Sequence, residues 1–351
     1  MRTAKHPDAV TCYIGPAQDL YHLSNVLTGF CELASEGRIE LSLKPVLDDL
    51  RNPSEVAAMR AEAFRDGSAI EVAFDVYDRS ERFETDLLER CDIYFKRSYY
   101  RPDIVRLTKN WQPKVVPFGF NYACRSATGE PRLRAAGLGF SDSLDRYLVP
   151  PFETFEQSPS VTASPSIVFQ TRAWSPESTS DDAEEVNDSR VQIIRALRKA
   201  FPGRFDGGFT RTLFASQRYP DLVSEHPSEP EEYLRFLKGH LIGISTHGLH
   251  HSVPFKLPEY TAASIAIVSE PPQHGFPIPF IAGRNFLAFR GPEECIQQCD
   301  RILSDAHLAR ELREASWRYY HADIRPAQHI GNLLEQALTT KSARDQIEAV
   351  E

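Results

Sequence analysis

Three side chains with complementary chemistry stand close together in the run GISTHGLHHSVPFKLPEYTAASIAIVSEP: His251, Lys256 and Glu259. An imidazole N–H and an ammonium group both donate to phosphate oxygens, and a carboxylate accepts from a pair of hydroxyls. A helix expected over Pro254–Ala263 would add unpaired backbone N–H groups and the positive end of its dipole. On such a helix the eight positions from His251 to Glu259 cover roughly two turns, about the span from a pyrophosphate to its ribose. The set therefore reads as a site for a nucleoside diphosphate. The plain alternative is an exposed ion pair between Lys256 and Glu259, three positions apart.

Further candidates lie at the ends of expected strands. Arg172 follows the strand Ile167–Gln170 in IVFQTRAW and is positioned to meet a phosphate, or else to pair with the acidic segment downstream. Gly207 and Gly208 end the next strand, where a loop near a base or a tight turn fits equally well. His247 and His250 read as loop hydrogen-bonding residues. A general base must be an Asp, Glu or His at a strand end. Asp75 in EVAFDVYDRSER is the first choice, followed by Asp78, Asp19 and His22. Lys96 and Arg97 in YFKRSYY would neutralise a diphosphate or an anionic acceptor, or form a solvated turn. Gly15-Pro16 and Asn121 are weaker candidates for lining a cleft.

What must hold these residues in place is an alternation of short β-type runs with helical periodicity, the pattern of parallel sheets with helical crossovers. In the first half the strands expected are Val10–Ile14, Ile39–Leu43, Ile70–Phe74, Ile93–Phe95 and Val115–Phe118. The Pro/Ser/Thr-rich run PPFETFEQSPSVTASP then reads as a linker. A second series follows: Ile167–Gln170, helix Arg190–Phe201, Phe205–Phe209, helix Glu231–Leu237, Leu241–Ser245, helix Pro254–Ala263 and Ile265–Val268. Ser178–Ser189 is acidic and reads as a mobile loop leading to an N-cap at Ser189. Three helices close the chain, Pro292–Leu303, Ala306–Tyr320 and Pro326–Leu338, before a polar tail from Thr339.

At 351 residues and 41% hydrophobic content the chain has the material for two domains of similar size. A formal charge of −9 disfavours a nucleic-acid partner. No apolar run is long enough to cross a bilayer and the N-terminal run lacks a signal-like segment, so a cytoplasmic location is expected. The six cysteines are scattered and suit neither a disulfide framework nor a zinc site, Cys295 and Cys299 reading as small core residues. Neither a Gly-x-Gly-x-x-Gly after the first strand nor a Walker-type loop is present. Asp48-Asp49 and Asp142 to Asp145 lie outside convincing strand ends, which disfavours a metal-binding Asp-x-Asp.

The run Lys256–Pro271 resembles the Lys-x-x-Glu-Tyr-x-Ala-x-Gly-x-Pro-Val-Val signature of GT-B glycosyltransferases, and Gly283–Tyr320 is similar to the strand and helices that follow it there. Phe286 stands where that family has Gly. The resemblance implies two Rossmann-like α/β domains facing a cleft, with the C-terminal helices packing back on the N-terminal domain. The expected divisions are residues 1–155 for an acceptor domain, 165–325 for a nucleotide-sugar domain and 326–351 for a last helix and tail. It also implies ribose contact for Glu259 and phosphate contact for Lys256 and Arg172. His251 stands where retaining members carry a first Glu, and resembles the phosphate-holding His of inverting UDP-sugar enzymes. The expectation is a metal-independent transferase that uses a nucleoside diphosphate sugar as co-substrate and no cofactor. Its acceptor would be a glycan, a lipid-linked group, a small molecule or a protein. Asp75 and His251 are its expected catalytic residues, with Arg172, Lys256, Glu259, Gly208 and Lys96 on the substrates. A nucleotide-sugar 2-epimerase and a non-catalytic nucleotide-sugar binding module are the rival readings.

Overall fold

A computed structural model describes residues 7–15, 18–46, 57–126, 149–177 and 179–348, with side chains as far as 341. Pro16, Asp48, Asp49, Asp142 and Asp145 lie outside the described residues. In chain order the elements begin with β1 (Asp8–Ile14), α1 (Leu20–Ser35), β2 (Ile39–Pro45), β3 (Ala58–Arg65), β4 (Ser68–Asp75), α2 (Thr85–Arg90), β5 (Ile93–Lys96), α3 (Arg101–Ile104) and β6 (Val115–Pro117). They continue with β7 (Ser164–Thr171), α4 (Ala183–Ala200), β8 (Phe205–Phe209), α5 (Leu213–Arg218), α6 (Pro230–Leu237), β9 (His240–Ser245), α7 (Lys256–Ala262) and β10 (Ala266–Ser269). The last are β11 (Leu287–Ala288), α8 (Pro292–Ser304), α9 (Ala306–Tyr319) and α10 (Pro326–Glu348). They fall into two compact units, one of Met1–Phe152, His274–Ile278 and Ala322–Glu351, the other of Glu153–Gln273 and Pro279–His321.

The first unit holds a sheet in the order β2-β1-β3-β4-β5-β6. It is mixed rather than parallel throughout, because β3 pairs antiparallel with both β1 and β4. The β3–β4 hairpin turns through Asp66 and Gly67, both at positive φ, with Arg65 paired to Ser68 across a two-residue loop. An Asp-Gly pair is the standard occupant of such a turn, since both central residues need the left-handed region. The helix α10 lies in this unit against α1, and its polar end from Thr339 continues as helix rather than as a free tail.

The second unit is an open sheet in the order β11-β10-β9-β7-β8, parallel in every pairing. The apolar stripe of α4 packs Ile193, Ile194 and Leu197 onto Ile167, Phe169, Ile242 and Ile244 of the central strands. The acidic run before it is not a loop: the helix starts at Ala183 with Glu184 and Glu185 in its first turn. Carboxylates there face the positive end of the helix dipole, which favours helix over coil. The helix at the end of the β9 loop is shorter than expected, running only from Lys256 to Ala262 without a side-chain cap. Strand order reverses between β7 and β9, and in open parallel sheets ligands bind outside the carboxyl ends of the strands at such a point.

Candidate functional site

At that point in the second unit, Arg172 follows the end of β7, and Thr246 to His251 follow the end of β9. Gly243 of β9 is required by packing, because a Cβ there would stand 2.8 Å from the ring of Tyr260. That ring, buried from α7, donates its hydroxyl to the Ile244 carbonyl at 3.1 Å and so ties α7 to β9. Lys256 opens α7, and its Nζ donates to the Tyr233 hydroxyl of α6 at 3.0 Å while lying 4.7 Å from that ring's centre. Glu259 stands one turn on.

The Glu259 Oε2 is fully buried and accepts no hydrogen bond among the described residues. Burial pushes its carboxyl up to about 7, against the downward pull of Lys256 and Tyr233. Burial likewise pulls the Lys256 ammonium down, opposed by Glu259 and reinforced by the positive charge of Arg190. The Tyr233 phenol is raised by burial and by the neighbouring Tyr260 and Glu259. Lys256 and Glu259 are therefore half-buried neighbours that influence each other's charge, not the exposed ion pair that their spacing also allowed.

His251 ends a one-turn 3-10 segment, Leu249–His251, outside α7, so the two-turn spacing to Glu259 does not apply. It follows His250 in a tight turn, and both residues sit at positive φ, 55° and 58°. Two successive left-handed residues without a glycine store strain that only their surroundings can hold. Those surroundings are the Asp182 carboxylate, which accepts the His250 N–H, and the Glu270 carboxylate, which accepts the His247 N–H at 2.7 Å. His251 itself is exposed and packs edge-on against the His247 ring at 5.7 Å, with no contact to Lys256 or Glu259 among the described residues. Arg172 is exposed, with its guanidinium 5.0 Å from the Trp174 ring centre and no carboxylate partner among the described residues.

Other expected residues have structural occupations. A Cβ at Gly208 would stand 2.3 Å from the Leu222 carbonyl oxygen, and one at Gly207 2.2 Å from that of Phe169. The space beside these glycines is filled by the protein's own backbone. Asp75, at the end of β4 in the first unit, is fully buried and accepts from Tyr94 Oη at 2.5 Å, Lys96 Nζ at 2.8 Å and the Tyr77 N–H at 3.0 Å. Lys96 is equally buried, directly across the β4–β5 register, and also donates to the Arg82 carbonyl. A carboxylate enclosed this way cannot reach a substrate, so the base expected at Asp75 is corrected to an internal ion pair with Lys96. A better-placed group is His22, a third exposed at its side chain, whose Nδ1 pairs with the Asp19 carboxylate. Asp19 also caps α1 by accepting the His22 N–H at 3.1 Å, which fixes both partners.

Arg190, which bonds the chain at Arg172, Thr246 and His247, and Tyr233, which accepts from Lys256, join the candidate set and escaped the sequence reading. Arg190 precedes Ile193 by three positions on the buried stripe of α4, and an arginine on that face is the one visible signal.

Residues 190–335 match the family model described as glycosyl transferase-like. No curated protein matches the chain. Among solved structures it is similar to HepE of Anabaena in complex with UDP, at 10% identity and a TM-score of 0.44, over 92% of this chain and 99% of that one. It is also similar to a putative UDP-N-acetylglucosamine 2-epimerase from Listeria monocytogenes, at 10% identity and 0.42, over 97% and 98%. A third is the S. aureus MnaA–UDP structure, at 10% identity and 0.40, over 94% and 96%.

Proposed function

We propose that this protein is a metal-independent glycosyltransferase that moves a sugar from a nucleoside diphosphate donor to an acceptor. The observation that carries this reading is the buried, unpartnered Glu259 Oε2, three positions after Lys256 in the helix between β9 and β10 of a glycosyl transferase-like segment. A free carboxylate lone pair next to an ammonium is completed by a ribose hydroxyl and a phosphate oxygen together. Glu259 accepts from the ribose, while Lys256, with Arg172 and His251 on the exposed side, meets the phosphates. As the bond to the sugar breaks, negative charge grows on the departing diphosphate, and fixed cations in a partly dry site stabilise that charge most. His22, oriented by Asp19, has the make-up of the general base that deprotonates an acceptor hydroxyl.

The test is a thermal-shift panel of UDP, GDP, CDP, ADP and dTDP with their sugar forms. A ligand at about 100 times its dissociation constant stabilises by roughly 2.7 kcal/mol, a readily seen shift. One base is expected to shift wild type and to fail with Glu259→Ala, and an equal shift in that variant would sink the assignment. Turnover of donor by the protein alone, with the sugar epimerised, would replace transfer by the epimerase reading. Donor binding with neither transfer nor slow hydrolysis would leave a binding module.

A further inference from the structure

We infer that Arg190 is the positioning residue that assembles the diphosphate end of this site and gives it its preference for an anion. The inference rests on the donor-site reading above. Arg190 is only 5% exposed, inside the unit that carries Lys256 and Glu259. Its three hydrogen bonds run to one place. Nη1 donates to the Arg172 carbonyl at 2.7 Å, Nη2 to the His247 carbonyl at 2.9 Å and Nε to Thr246 Oγ1 at 3.2 Å. Arg172 lies directly beyond β7, and Thr246 and His247 directly beyond β9, so one guanidinium bridges the two strands between which the sheet order reverses. It fixes the chain at both of the loops that carry the exposed Arg172 and His251.

The second observation concerns charge. No carboxylate lies within ion-pair distance of Arg190 among the described residues. The nearest acidic influence is Glu270, whose carboxylate is already engaged with the N–H and ring of His247. Buried arginines that serve only to hold a fold are normally paired, because an unpaired buried charge is costly. Here burial pulls the guanidinium down to about 10, and its charge also pulls Lys256 down. Two cations close enough to act on each other, with Glu259 and Glu270 as the carboxylates that influence them, are completed by an anion. A planar fork that holds three acceptors in fixed directions is a geometry that lysine does not copy.

The experiment measures binding to wild type, Arg190→Gln and Arg190→Lys by calorimetry. The probes are UDP, GDP, CDP, ADP and dTDP, each beside its parent nucleoside, at several salt concentrations. For the base that binds wild type, Arg190→Gln is expected to weaken the diphosphate about tenfold or more, since hydrogen bonds to charged groups are at stake. The nucleoside should change little, and the salt dependence of diphosphate binding should flatten. Arg190→Lys, which keeps the charge and loses the fork, should fall in between. Equal losses for diphosphate and nucleoside, or no loss in either variant, would overturn the role. Should Arg190→Gln fail to fold by circular dichroism, the ratio of diphosphate to nucleoside affinity in Arg190→Lys decides. If wild type binds none of the diphosphates, the donor-site reading falls first and takes this inference with it, a result distinct from wild-type binding that survives both substitutions.

Discussion

At the scale of single residues, the candidate site holds a carboxyl whose burial opposes its ionisation. Glu259 ionises near 7 when folded and near its ordinary 4.5 when unfolded. Below about pH 4.5 it is protonated in both states and burial costs nothing extra. As pH rises through 7 the folded state must carry a buried charge that the unfolded chain carries in water. This group's contribution to stability is therefore lost between those two values, by at most about 3 kcal/mol. Glu259→Gln stands in for the protonated form and should remove that loss. In urea titrations the variant should gain on wild type between pH 5 and pH 8 while donor binding falls. A gap between the two proteins that stays constant with pH would mean that the carboxyl is solvated.

That Lys256 and Glu259 are neighbours was legible because their relation is local, three positions along one segment. Arg190 and Tyr233 reach the same place from other helices, and nothing local announces a carbonyl found 57 residues on, as between Arg190 and His247. Asp75 shows the opposite error. Its strand end was correctly read, but its burial depends on standing opposite Lys96 in the sheet, and that register is set by strand pairing.

At the scale of elements, α1 and α10 approach each other closely in the first unit. A Cβ built on Gly29 would stand 2.2 Å from Ile330 Cγ1 and 2.6 Å from the Pro326 carbonyl oxygen. In an open helix, Gly→Ala gains about 0.5–1 kcal/mol. Here overpacking costs about 1–3 kcal/mol, so the steric cost wins. Gly29→Ala should lower the urea midpoint, and an unchanged or higher midpoint would show that the two helices do not pack this closely. The parallel second sheet could be read from sequence because each of its longer strands is an apolar run bounded by helical periodicity. The strand β3 was missed although Arg-Asp-Gly-Ser marks its hairpin plainly, because its buried face is made of Met59, Ala61 and Ala63, and small alanines carry a weak strand signal. The start of α4 was missed because an acidic, polar composition was read as solvation when its position at a helix N-terminus made it stabilising.

At the scale of the whole molecule, the chain leaves the first unit after Phe152 and returns to it for good at Ala322, so the last helix completes a core begun some three hundred residues earlier. Ile330, Leu333, Leu334, Ala337 and Leu338 are all buried there, and Glu335 holds Arg65 of β3 through two hydrogen bonds of 3.0 and 2.6 Å. At about 1.5–3 kcal/mol for each large apolar side chain, removing this helix withdraws on the order of 10 kcal/mol. That matches the whole stability of an ordinary domain, about 5–15 kcal/mol, and so exceeds what the first unit can lose. A chain ending at Arg325 should therefore keep the second unit folded while the first unit opens. Limited proteolysis should then leave a resistant fragment running from near Glu153 to near His321, and the nucleotide that stabilises wild type should still protect it. Simultaneous loss of both units on truncation would instead mean that the second unit depends on the first for its fold, and that the all-parallel sheet with its buried Arg190 is not a self-sufficient core.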